Sequence, residues 1–213
     1  MLILGILLLT VVPYVLGCSN GAILVSKYLL KDDIRNHGSG NAGLTNFTRV
    51  FGGKYAPLVI LPDALKGVVG ILSGVLAAKL MEMGGWDFMT VIRGKYIAAL
   101  FCELGHMFPF NFGFKGGKGI LTGGIIAIMI SWKVAVVVWG SFLILTAISR
   151  YVSLGSLSTG ILFPLMCWVL YRDPVAMVFA LVVGFLVIFA HRSNIQRLLA
   201  GNENKLTFHK KKS

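Results

Sequence analysis

ILTGGIIAIMISWKVAVVVWGSFLILTAI, residues 120 to 148, contains one charge, Lys133. A helix needs roughly 20 apolar residues to cross the hydrocarbon core, so the stretch is too long for one span and short for two. It predicts two short helices that turn near Trp132 and Lys133. Short segments interrupted by glycine at membrane depth belong where backbone lines a cavity and not lipid. Outward from this stretch, apolar runs over 3–26, 55–80, 87–110, 153–171 and 174–190 are each long enough to span. The expected fold is all-α and polytopic, with seven transmembrane helices, two of them short.

Composition agrees. Of 213 residues, 56% are hydrophobic and 13% charged, and the mean hydropathy is +0.82, values foreign to a soluble domain. The formal net charge of +12 reports orientation and anionic lipid headgroups before nucleic acid, which is not an expected partner. Cys18, Cys102 and Cys167 form no CxxC pair and have no histidine at ligand spacing, so they read as small hydrophobes and no metal is expected. No charge precedes Lys27, whereas a signal peptide needs a positive n-region. The first segment is therefore a retained span. With seven spans, fifteen of the 20 Lys and Arg fall on the side of the 27–54 loop, the 111–119 loop, the 149–152 turn and the tail, and five fall on the other. That places the N-terminus outside and the C-terminus in the cytoplasm. The chain reads as one domain over 1–213, ending in a basic, flexible cytoplasmic tail over 205–213.

Polar chemistry gathers on the cytoplasmic side. RNHGSGNAGLTNFTRVFGG, residues 35 to 53, alternates Gly38, Gly40 and Gly43 with Ser39, Asn41, Thr45 and Asn46. Such glycines let successive N–H groups turn inward as an anion nest. Arg35 and Arg49 flank it with guanidinium forks that match phosphate. GHMFPFNFGFKGGKG, residues 105 to 119, brings Lys115, Gly116, Gly117 and Lys118 before a short helix. GxxxxGK[ST] is absent because Gly119 follows Lys118, so nucleotide hydrolysis is disfavoured. What remains is a loop entering a helix N-terminus, where free N–H groups and the dipole favour an anion. His106 lacks the aspartate of an H-x-x-x-x-D acyltransferase dyad, since position 111 is Asn111, and reads as a structural histidine at a helix end. Asp63 and Lys66 share a helix face. They are either functional charges at membrane depth or an ion pair that pins helix two to the loops.

Together GSGNAGLTN with Arg49, DALKG at 63–67, GHMFPFNFGFKGGKG, RYVSLGS at 150–156 and HRSNIQRLLAGNE at 191–203 resemble the acyl-phosphate-dependent glycerol-3-phosphate acyltransferase family of PlsY type. The resemblance covers nearly the whole chain. It implies transfer of a fatty acyl group from acyl-phosphate to the sn-1 hydroxyl of glycerol 3-phosphate at the bacterial cytoplasmic membrane, without cofactor or metal. The expected partners are those two substrates and membrane lipids, with the chain a monomer. Ser39, Asn41 and the glycine backbone of their loop would hold the donor phosphate. Arg49, Lys118, Ser153, His191 and Asn194 would surround glycerol 3-phosphate and the reacting carbonyl. His191 or a substrate phosphate oxygen would take the proton. The chain departs from the family at GCSNG, residues 17 to 21, where a proline is common. A transporter of phosphorylated metabolites and a non-catalytic anionic-lipid scaffold are the competing classes.

Overall fold

The computed structural model describes residues 1–206. They are helical, with no strand among the described residues. The predicted tail therefore lies outside the described residues from 207 onward. Before that point, the Leu206 N–H donates to the Arg150 carbonyl at 2.7 Å, and the Lys205 ammonium lies 5.6 Å from the Tyr151 ring centre.

The first apolar run is bent. α1 (Leu2–Leu9) and α2 (Val11–Gly17) meet at Thr10, whose φ of −122° and ψ of −63° interrupt the helix. The chain breaks again before α3 (Gly21–Leu24) and passes into a π turn over Val25–Leu29. Asn20 governs the second break: its Oδ1 accepts the Ile23 N–H at 3.1 Å, and its Nδ2 donates to the Ala42 carbonyl at 3.1 Å. GCSNG thus turns by an asparagine cap.

A surface helix, α4 (Leu44–Phe51), leads into the longest element, α5 (Ala56–Met83). Next come α6 (Val91–Met107), α7 (Ile120–Ile130), α8 (Trp132–Ser149), α9 (Val152–Tyr171) and α10 (Pro174–Ala190). α11 (Arg192–Leu199) follows at a bend of 53°. The decisive 120–148 stretch does divide in two. Its break falls at Ser131, where extended backbone ends α7 and the side chain accepts the Lys133 N–H at 3.2 Å to start α8. Only α7, with 11 residues, is short; α8 has 18.

Ile3, Leu61, Leu65, Val136, Leu143, Ile148, Ile161 and Phe185 stand exposed, a belt that water would penalise and lipid accepts. Helices in lipid gain little from burial as such and associate through close packing. Gly74 on α5 and Gly94 on α6 meet backbone to backbone, where a Cβ on either would overlap the other's carbonyl. Tyr96, Ile126, Phe163, Cys167, Ala176 and Ala180 form the densest buried cluster.

At one end of the bundle two cations find partners within the protein. Arg93 Nε meets Asp173 Oδ2 at 2.8 Å, and Lys95 donates to the terminal α7 carbonyls of Met129 at 2.8 Å and Ile130 at 3.2 Å, a cation at a helix C-terminus. The buried Asp63–Lys66 pair, at 2.8 Å, straddles the break in the first run. Lys66 donates to the Gly17 and Ser19 carbonyls, while Asp63 accepts the Gly21 N–H. The ion pair thus pins α5 to the break in the first run and not to the two polar loops, and Asp63 also borders a cavity.

Candidate functional site

At the other end, three helices begin around one cavity of about 240 Å³. Gly43 and Leu44 start α4, Gly119 and Ile120 start α7, and Val152 and Ser153 start α9, and all six line the cavity. None of these helices has a side-chain N-cap or an acidic residue in its first turn. Their first N–H groups and dipoles remain unanswered. By contrast, α6, α8 and α10, which start at the opposite end, are capped by Thr90, Ser131 and Asp173. Three open N-termini facing one space favour an anion there.

The cations follow the same logic. Arg49 lines the cavity and forms no ion pair among the described residues. Lys118 is buried along its stem and donates to Asn194 Oδ1. Burial, reinforced by Arg197 and opposed by Glu203, lowers its pKa to about 8. Gly119, at φ +79°, turns the chain so that Lys118 points inward and α7 can begin.

A polar relay holds Asn194. Its Nδ2 donates to Glu203 Oε1 at 2.8 Å, and Arg197 Nε donates to Glu203 Oε2 at 2.7 Å. This fixes the amide with oxygen toward Lys118 and nitrogen toward Glu203. Burial pushes the Glu203 carboxyl up, but the bonds from Asn194 and Arg197 outweigh it and hold it below its ordinary value. His191 Nδ1 lies 2.7 Å from the Val187 carbonyl. A carbonyl only accepts, so Nδ1 carries the proton and Nε2 keeps a lone pair. Ser153 Oγ is buried without a hydrogen-bond partner.

The structure thus brings Ser39, Asn41, Thr45, Asn46, Arg49, Lys118, Ser153, His191 and Asn194 to one cavity. Gly38, Gly40, Lys115, Gly116 and Gly117 are not on its wall. Gly38 (φ +59°) and Gly40 (φ +71°) shape the first loop, whose Ser39 N–H donates to Asn46 Oδ1 at 3.0 Å. Gly116 and Gly117 donate to the Met107 and His106 carbonyls, and the Lys115 side chain is exposed. Arg35, expected at a phosphate, instead forks onto Asp33. Asp63, His106, Arg197, Glu203 and Asn204 also line the cavity. The sequence signal for Arg197 and Glu203 is their place in HRSNIQRLLAGNE with His191 and Asn194. Among the described residues no group of three or more His, Cys, Asp or Glu is arranged to hold a metal ion.

Gly119, Ile120, Trp139 and Phe142 also border a second, apolar space, a narrow cleft of about 30 Å³ between the helices along Ile126, Val138, Phe163 and Val183. Trp139 lies on Gly124, where any Cβ would strike the indole, and its Nε1 donates to the Gly124 carbonyl at 3.1 Å. Glu103 borders the mouth beside Gly119, wholly buried and with neither oxygen partnered.

An all-helical bundle with an exposed apolar belt, and a cavity lined by Arg49, Lys118 and Arg197 that shares four wall residues with an apolar cleft, has the form of an integral membrane protein with a cationic site. The comparisons narrow this class. Residues 7–201 match the family described as "Glycerol-3-phosphate acyltransferase". The glycerol-3-phosphate acyltransferase of Thermoanaerobacter pseudethanolicus is 37% identical over 199 residues, covering 93% of this chain and 94% of that protein. A crystal structure of PlsY (YgiH), an integral membrane glycerol 3-phosphate acyltransferase, in its glycerol 3-phosphate form superposes with a TM-score of 0.82 at 35% identity, covering 95% of this chain and 96% of the other. Its lysophosphatidic acid form gives 0.78 at 34% identity, covering 95% of each. The chain belongs to the glycerol-3-phosphate acyltransferase family, of the integral membrane PlsY type.

Proposed function

We propose that this protein transfers a fatty acyl group from acyl-phosphate to the sn-1 hydroxyl of glycerol 3-phosphate, releasing lysophosphatidic acid and inorganic phosphate. In this reading it acts as a single catalytic domain of the bacterial cytoplasmic membrane, a monomer with seven spans, N-terminus outside and site facing the cytoplasm. The observation that carries the proposal is the junction. A cavity with three open helix N-termini and two glycine-organised loops suits two phosphates, and it shares Gly119, Ile120, Trp139 and Phe142 with an apolar groove. An acyl-phosphate has that shape: anion, carbonyl, then hydrocarbon. The related PlsY crystal forms with glycerol 3-phosphate and lysophosphatidic acid support the acceptor and the product.

Mechanistically, Ser39, Asn41 and the N–H groups at the start of α4 hold the donor phosphate, with Gly38, Gly40, Thr45 and Asn46 shaping that loop. Lys118, Arg49, Ser153 and Asn194 hold the acceptor phosphate. The sn-1 oxygen attacks the carbonyl carbon, the carbon–oxygen bond to phosphate breaks, and phosphate leaves with the bonding pair. The proton passes to His191 Nε2 or to an oxygen of the departing phosphate. An acyl-phosphate is a mixed anhydride, so positioning and electrostatic stabilisation suffice without a covalent acyl-enzyme. In detergent, palmitoyl-phosphate and glycerol 3-phosphate should yield lysophosphatidic acid and phosphate in equal amounts, and Lys118→Ala should abolish both. Phosphate flux across proteoliposomes without product would instead support a transporter.

A further inference from the structure

Arg35 binds protein where phosphate was expected. Its Nε and Nη2 fork onto Asp33 at 3.0 and 2.7 Å. Asp33 Oδ1 also accepts the Arg35 N–H at 3.0 Å and so caps the turn Ile34–Asn36. The remaining nitrogen, Nη1, crosses to the second loop and donates to the carbonyls of Phe112 at 2.7 Å and Lys115 at 3.2 Å. Among the described residues these are the only hydrogen bonds that directly join the loop bearing Ser39 and Asn41 to the loop bearing Lys118. From the fork, order passes inward on both sides. The His37 carbonyl, at the end of the capped turn, accepts the Gly40 N–H and Asn46 Nδ2. Three residues beyond the Lys115 carbonyl stands Lys118.

We infer that Arg35 is a positioning residue that sets the spacing between the two phosphate-binding loops, so that acceptor hydroxyl and acyl carbonyl meet. The inference rests on the proposed acyl transfer. Each loop can bind its own phosphate without Arg35, because neither set of ligands includes it. What needs both loops is the approach of the two reacting atoms, and a misplacement of about 1 Å there costs about a hundredfold in rate. Lysine does not replace this fork: an ammonium is a point charge and cannot span a carboxylate and two carbonyls in one plane.

The test uses the full-length protein in detergent with palmitoyl-phosphate and glycerol 3-phosphate, following phosphate and lysophosphatidic acid together. For Arg35→Gln, lipid turnover should fall by about a hundredfold while the KM for each substrate changes by about threefold or less. Phosphate should exceed lipid, because water reaches a carbonyl the acceptor no longer meets, breaking the same carbon–oxygen bond to give fatty acid and phosphate. Arg35→Lys should fall between wild type and Arg35→Gln in both respects. Asp33→Asn, which leaves the guanidinium but loosens its anchor, should show the same excess of phosphate, and it decides the question if Arg35→Gln does not fold. Equal phosphate and lipid in every folded variant, or a rise in one KM alone at unchanged kcat, overturns the inference. A wild-type protein that makes no lysophosphatidic acid overturns the proposed function itself, and this inference with it.

Discussion

The lowered pKa of Lys118 makes the acceptor site sensitive to pH in a calculable way. Burial brings the ammonium to about 8, so in the free enzyme it is about nine-tenths protonated one unit below that value and about one-tenth one unit above. If the charged form binds glycerol 3-phosphate, kcat/KM for that substrate should hold level below about pH 7.5 and fall about tenfold per unit above about pH 8.5. The substrate phosphate, with a second pKa near 6, keeps a constant charge over the falling limb. The direction follows from the state that binds: the cation is lost as pH rises, and it is lost earlier than for an ordinary lysine. Bound phosphate favours the charged form, so kcat should begin its fall at higher pH than kcat/KM. Lys118→Arg supplies the control, because guanidinium stays charged throughout; its profile should be flat, at whatever level its altered reach permits. Initial rates of lysophosphatidic acid formation in detergent, with palmitoyl-phosphate saturating, measure both. A wild-type profile level to about pH 9.5, or an equal fall in Lys118→Arg, would refute the assignment.

Three further substitutions separate structural from catalytic work. Asp63→Asn leaves Lys66 buried without its carboxylate, a loss of about 3–5 kcal/mol; a thermal scan should show Tm lower by about 10 °C or more, with part of the loss restored by adding Lys66→Met. Ser153→Ala removes a buried hydroxyl that has no protein partner. Its Tm should match or exceed wild type, while kcat/KM for glycerol 3-phosphate falls at least about tenfold, the scale of a hydrogen bond to a charged group. Gly119→Ala forces a side chain into a left-handed conformation, at about 1–2 kcal/mol, and into the Glu103 carboxyl; turnover should collapse although the protein remains folded by circular dichroism.

Much of this molecule could be read in its sequence because polar residues in an apolar chain are conspicuous. FKGGKG and GSGNAG stood out against oily neighbours and do flank one cavity, and the 120–148 stretch did divide. The failures came where one residue type has two uses. Lys115 and Lys118 are equivalent as letters. Which of them faces inward is set by left-handed backbone at Gly113, Phe114 and Gly119, conformations that glycine spacing alone does not assign. Arg35 resembled a phosphate ligand because a guanidinium fork fits a carboxylate and a phosphate equally well. Its two carbonyl partners lie 77 and 80 residues away. The Ser131 break was displaced toward Trp132 and Lys133 because charge draws attention at a membrane edge, whereas the cap there is a hydroxyl.

The distribution of unmatched groups carries the functional logic of the whole fold. At the end remote from the cavity, cations and helix termini answer one another: Arg93 meets Asp173, Lys95 meets the end of α7, and side chains cap α6, α8 and α10. At the cavity end, among the described residues, the starts of α4, α7 and α9 carry no side-chain cap, Arg49 has no ion pair, and Ser153 Oγ has no hydrogen-bond partner. Buried polar groups left unanswered cost stability; the proposed substrate phosphates would complete those at the cavity, whereas Tyr96, Glu103 and Thr146 keep unpartnered oxygens outside its lining among the described residues. Two carboxylates border the cavity and both are engaged within the protein, Glu203 with Asn194 and Arg197 and Asp63 with Lys66, so among the described residues Lys118 and Arg49 keep their charges free of a carboxylate partner, as the proposed binding of anionic substrates requires.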